Sequence, residues 1–81
     1  MTRDETIEKL AEYAHEAWAG WIRYMFSKGT IYPDGSLTLP DWAVERWLRQ
    51  AETPYGELPE SEKRSDREEA IKMIGICGGL L

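Results

Sequence analysis

The sequence predicts a small, mostly α-helical domain of three helices, with room for a short β-hairpin between the first two. Three observations carry that reading. Apolar residues recur every three or four positions through the first third of the chain, the period of a helix buried on one side. Pro33, Pro40, Pro54 and Pro59 fall at the joints between such stretches, where a missing N–H and a fixed φ do least harm. With 81 residues there is room for one domain and one core.

The first helix is predicted over residues 4–28. Ile7, Leu10, Ala11, Ala14, Ala17, Trp18, Trp21, Ile22 and Met25 share one side of it. Thr2 or Asp4 suits the cap, and acids in the first turn suit the positive end of the helix dipole. Gly29 is a natural stop. Gly20, inside the helix, costs about 1 kcal/mol relative to alanine and reads as a close-packing point. Residues 29–39 then turn. Pro33-Asp34-Gly35 is a turn sequence, and the flanking Ile31-Tyr32 and Leu37-Thr38-Leu39 alternate as hairpin strands would, although two strands alone are marginal.

The second helix is predicted over residues 40–52. Pro40 suits a first helical position, Asp41 the first turn, and Val44, Trp47, Leu48 and Ala51 make an apolar stripe. Thr53-Pro54 ends it, because a residue before proline avoids the helical region. Residues 53–58 form a loop, and Pro59 opens a third helix over residues 59–76. From Glu60 to Glu69 that helix is polar. Only Ala70, Ile71, Met73, Ile74 and Cys77 are fit for burial, Gly75 interrupts the end, and Gly78-Gly79 frees the tail Leu80-Leu81. There is no internal repeat and no low-complexity segment.

Fifteen acidic and ten basic residues give a net charge of −5, which opposes binding to a nucleic-acid polymer. A small anion held by a few local arginines remains compatible with that charge. Cys77 is the single cysteine, so no intramolecular disulfide forms and a reducing compartment fits. Acids occupy the start of the chain where a signal peptide would be apolar, and no run approaches the roughly 20 apolar residues of a membrane span. The expectation is a cytoplasmic protein without a membrane association.

No residue pattern points to catalysis. His15 and Glu16 are helix neighbours that point about 100° apart, which makes no dyad. Ser27, Ser36, Ser61 and Ser65 lack a nucleophile elbow, and Cys77 sits in an apolar, glycine-rich tail. One histidine and one cysteine far apart match no zinc site; Asp34, Ser36 and Asp41 match no calcium loop. Glycine-rich nucleotide motifs are absent. We therefore expect no enzyme activity, no metal and no cofactor.

Binding chemistry has better candidates. Lys63 and Arg67 are four apart on one helix face, with Arg64 and Asp66 between them. They read as a solvated face laced with Glu60, Glu62, Glu68 and Glu69, or as cations reaching inward to an anion. Trp18, Trp21 and Trp47 lie on apolar stripes and read as core. Trp42, Tyr24, Tyr32 and Tyr55 lie off the stripes and suit a stacking surface. Tyr13 is expected to face solvent, and His15 sits beside the stripe.

Two blocks resemble the ryanodine-receptor repeat (RyR domain) family. Ala14-His15-Glu16-Ala17-Trp18 is similar to the family's His-Glu-x-Trp block on its first helix. Residues 53–67, Thr53-Pro54-Tyr55-Gly56-Glu57-Leu58-Pro59 and on to Asp66-Arg67, resemble its Pro-Tyr-x-x-Leu, Glu-Lys and Asp-Arg run. The segment from Tyr24 to Glu52 departs from the receptor pattern and looks more like short stand-alone phage and prophage versions. The resemblance implies a small helical domain without catalytic residues, a structural and interaction repeat in the receptors. In phage-host defence it implies a module that sequesters a nucleotide-derived or cyclic nucleotide signal. On that reading His15, Trp18, Trp42, Tyr55, Lys63, Arg64 and Arg67 bind the ligand, aromatics stacking a base and cations meeting phosphate. The alternative is a protein-interaction adaptor or structural repeat with no small ligand. Four tryptophans, four tyrosines and a first helix of about 37 Å exceed what one small core hides, so a homo-oligomer is expected.

Overall fold

The Thr2 hydroxyl starts the first helix by accepting the Glu5 N–H at 3.1 Å, while the Glu5 carboxylate accepts the Thr2 N–H at 3.4 Å. This reciprocal capping box selects Thr2 over Asp4 as the cap. In the computed structural model, which describes residues 2–78, the helix that follows is α1, Arg3–Ser27. It is succeeded by β1 (Thr30–Ile31), β2 (Leu37–Thr38), α2 (Asp41–Glu52), a 3₁₀ turn (Tyr55–Glu57) and α3 (Glu60–Ile76). The fold is mostly α-helical, with an antiparallel hairpin between the first two helices.

Each boundary has a local cause. Lys28 closes α1 in the right-handed conformation, its N–H donating to the Met25 carbonyl while the Gly29 N–H donates to that of Phe26. Gly29 is needed for a different reason from the one its position suggests. A Cβ there would lie 2.7 Å from Leu37 Cδ1 and 2.9 Å from the Thr38 carbonyl oxygen, so only glycine lets β2 approach. The strands pair Thr30 with Thr38 and Ile31 with Leu37. Tyr32 N–H donates to the Ser36 carbonyl, Gly35 N–H to the Tyr32 carbonyl, both at 2.9 Å, and Gly35 takes φ of +90°. That is a three-residue hairpin loop with glycine at its left-handed position. The Asp34 carboxylate accepts the Ser36 hydroxyl at 2.6 Å and the Ser36 N–H at 2.9 Å, and these bonds hold its carboxyl below the usual value.

Pro40 and Pro59 precede their helices by one residue instead of occupying the first helical position. Both have extended ψ, 154° and 152°, and their carbonyls accept the first helical N–H groups. The predicted starts at residues 40 and 59 therefore move to Asp41 and Glu60. Thr53, extended before Pro54, ends α2 and returns its hydroxyl to the Arg49 carbonyl. Gly75 lies inside α3 and does not interrupt it, while Gly78 takes φ of +100° just past its end. The tail Leu80-Leu81 and Gly79 lie outside the described residues.

One expectation fails: the helices do not enclose a core. Among the described residues only Ala43 is buried. The chain is an elongated slab of 46 × 33 × 15 Å. Its radius of gyration is 16.3 Å, against about 12 Å for a compact chain of this length. The physical reason is coverage. The first half of α3 is polar and α2 has 12 residues, so neither can roof the apolar side of a 25-residue α1. Trp18, assigned to the core by its stripe, is 60% exposed, and Ile7 is 44% exposed. Gly20 meets nothing within 4 Å and is no packing point within the chain. Tyr13, expected in solvent, is half-buried with a hydroxyl that is inaccessible and without a hydrogen-bond partner.

Gly29→Ala should lower stability by about 1–3 kcal/mol, because the Thr38 backbone cannot yield to the new methyl. A thermal melt should show this as a drop of roughly 4–8 °C per kcal/mol. Gly56→Ala, where an added Cβ meets nothing, is the control and should melt as the parent does.

Candidate functional site

Trp47 joins α2 to α1. Its ring meets Trp21 edge-on at 5.0 Å between centroids and lies 6.2 Å from both Tyr24 and Trp42. Trp21 and Tyr24 are themselves 5.7 Å apart, and Lys28 places its ammonium 5.3 Å from the Tyr24 ring. Spacings of 3 and 4 from Trp21 to Tyr24 to Lys28 put all three on one side of α1, opposite α2. Edge-on rings of this kind contribute about 0.5–1.5 kcal/mol beyond the area they bury.

An ion pair joins α2 to α3. Arg49 donates to both oxygens of Glu62, at 2.8 and 3.5 Å. This hydrogen bond holds the Glu62 carboxyl below its ordinary value against partial desolvation, with further help from Gln50. The two joints leave a groove of about 470 Å³ between the helices. Trp21 of α1 and Trp47, Gln50 and Ala51 of α2 form one side of its lining. Leu58, Glu62, Ser65 and Asp66 complete it from the loop and α3. Of its two carboxylates, Glu62 is taken by Arg49. Among the described residues Asp66 has no ion-pair partner.

None of the seven residues singled out from the sequence lines this groove. Tyr55, Lys63 and Arg67 do come together, but around Glu60. Lys63 lies 5.8 Å over the Tyr55 ring and 3.7 Å from Glu60, and Arg67 bonds Glu60 at 3.1 Å. Glu60 is held below its usual range by Arg67 first and Lys63 second, and Arg67 is raised by Glu60 and the Tyr55 phenol. His15 and Trp18 pair with each other on α1 at 6.2 Å, Trp42 stands against Trp47, and Arg64 is exposed without an ion-pair partner among the described residues.

Sequence reasoning missed the groove because it assigned Trp21 and Trp47 to a closed core. Arg49 and Glu62 are 13 positions apart across a loop, and no helical spacing connects them. Among the described residues no cluster of three or more His, Cys, Asp or Glu could hold a metal ion, and no helix is long and apolar enough to cross a membrane.

Trp47→Ala removes the ring shared by three aromatic pairs and should cost about 2–4 kcal/mol in a urea melt. Glu62→Gln tests the other joint by pH. The folded carboxyl lies below its ordinary 4.5, so the pair stabilises above that pH and loses its effect as pH falls through the folded value. The stability gap between parent and Glu62→Gln should therefore be open at pH 7 and close as the pH falls below 4.5 and through the lowered folded value. No family model, no curated protein and no solved structure matches the chain, so the likeness to RyR repeats stays with the two blocks that suggested it.

Proposed function

We propose that this chain is a non-catalytic protein-interaction module whose groove receives a basic side chain of a partner. The observation that carries this is the pairing of two tryptophan walls with the Asp66 carboxylate, which has no counter-ion among the described residues. Indole faces attract cations, and a carboxylate beside them supplies a charge-assisted bond that arginine can make twice. The net charge of −5 steers such a chain toward basic surfaces and makes association salt-dependent. An interaction role is also what the RyR resemblance implies for the receptor repeats.

The competing reading is a small anionic, nucleotide-like ligand, and one observation favours it. Tyr55, Lys63 and Arg67 gather a ring and two cations at one point of α3. An anion entering there must displace Glu60, which already neutralises both cations. That cost ranks this reading second.

Tryptophan fluorescence separates the two. Titration with a short arginine-containing peptide amide should change the signal of Trp21 and Trp47, with affinity falling as salt rises. Asp66→Asn should weaken it about tenfold, the worth of one hydrogen bond to a charged group. A nucleotide or cyclic dinucleotide that saturates at micromolar concentration, and is lost in Lys63→Ala and Arg67→Ala, would reverse the assignment.

A further inference from the structure

The area the chain leaves open has a definite size. It exposes 6581 Å², whereas a folded monomer of 9.4 kDa exposes about 5,000 Å². The excess, about 1,600 Å² on each chain, is roughly twice what a standard interface covers per partner and falls in the range of obligate dimers. Among the described residues only Ala43 is buried, so the helices leave apolar faces uncovered where a stable domain packs layer against layer. A second layer is needed whenever this chain folds, and the partner always present at that moment is another copy of the chain.

The amino-terminal half of α1 shows how that copy sits. Ile7, Ala11, Ala14 and Trp18 are all exposed and follow one another at spacings of four, three and four, the seam of a coiled coil. The order of sizes along the seam is large, small, small, large, and it reads the same from either end. Reversing a second helix about the point between Glu12 and Tyr13 sets Trp18 over the partner's Ile7 and Ala11 over the partner's Ala14. The two alanines let the axes approach to about 8 Å, and the large residues close the ends. The antiparallel sense also opposes the two helix dipoles, which a parallel pair would align. Trp21, one step further along, belongs to the groove, so the seam ends where the groove begins.

We propose that the chain is an obligate homodimer in which this seam packs antiparallel against itself across a two-fold axis. The inference is independent of what occupies the groove. Light scattering on the full chain should give about 19 kDa, twice the 9.4 kDa of one chain, down to low micromolar concentration. Ala14→Glu places a charge at the centre of the seam and should raise the dissociation constant at least about a hundredfold. Because that variant could lose its fold together with its partner, register is tested separately. In a Cys77→Ser background, chains carrying Ala11→Cys and chains carrying Ala14→Cys are mixed under oxidising conditions. The mixed 11–14 disulfide should form in preference to 11–11 and 14–14. A folded 9.4 kDa monomer overturns the proposal, and so does a dimer that forms the like-with-like disulfides and not the mixed one.

Discussion

The edge-on contact of Trp47 with Trp21 turns a string of helices into a frame. Without a closed core, the chain has few places where one element fixes the direction of another. The Trp47 ring is the largest of them, because Trp21, Tyr24 and Trp42 all meet it. It sets the distance of α2 from α1, and so the width of the groove. The hairpin acts on the same joint from the other side. Its three-residue loop and the close approach at Gly29 decide where α2 begins after α1 has ended.

Charge does for α3 what aromatic packing does for α2. The first ten residues of α3 have little apolar surface, and their attachments are ionic. Glu62 is tied to Arg49 across the loop, and Glu60 gathers Lys63 and Arg67 along the helix. Exposed pairs of this kind contribute little to stability, since water and salt screen them. Their contribution is orientation. They leave Asp66 as the groove's carboxylate without a counter-ion among the described residues, with Lys63 and Arg67 engaged by Glu60 instead. The same sequence run, Lys63 to Arg67, thus contributes Asp66 to the groove and pairs Lys63 and Arg67 with Glu60.

Much of the local structure was legible because it has local causes. Thr2 or Asp4 before an amphipathic run announces a helix start, Pro33-Asp34-Gly35 a tight loop, and Thr53-Pro54 a helix end. Each does so through bonds made within four residues, and the structure has each of them. Periodicity was legible too, but it reports only that a face is apolar, not what covers it. Ile7, Ala11, Ala14 and Trp18 carry the pattern of a core helix and lie open in the single chain. The site was less legible for a related reason. Trp21, Trp47 and Asp66 meet only through the placement of three helices, a long-range result that no spacing encodes. Tyr55, Lys63 and Arg67 lie within 13 positions of one another, and sequence did bring them together.

A frame held by one aromatic joint and one ion pair has a consequence for binding. Free energy gained in the groove is shared among the three helices that line it, so an occupant tightens the frame as a whole. One that saturates the site at a hundred times its dissociation constant adds about 2.7 kcal/mol, comparable to the Trp47 joint itself. The proposed pairing along α1 would work by the same linkage, because a folded chain that binds its copy is drawn out of the unfolded pool. The two effects meet at Trp21, which follows the last residue of the exposed seam and forms a wall of the groove. Ordering α1 from one side therefore fixes a wall of the groove on the other, and a groove preordered in this way binds its occupant at lower entropic cost.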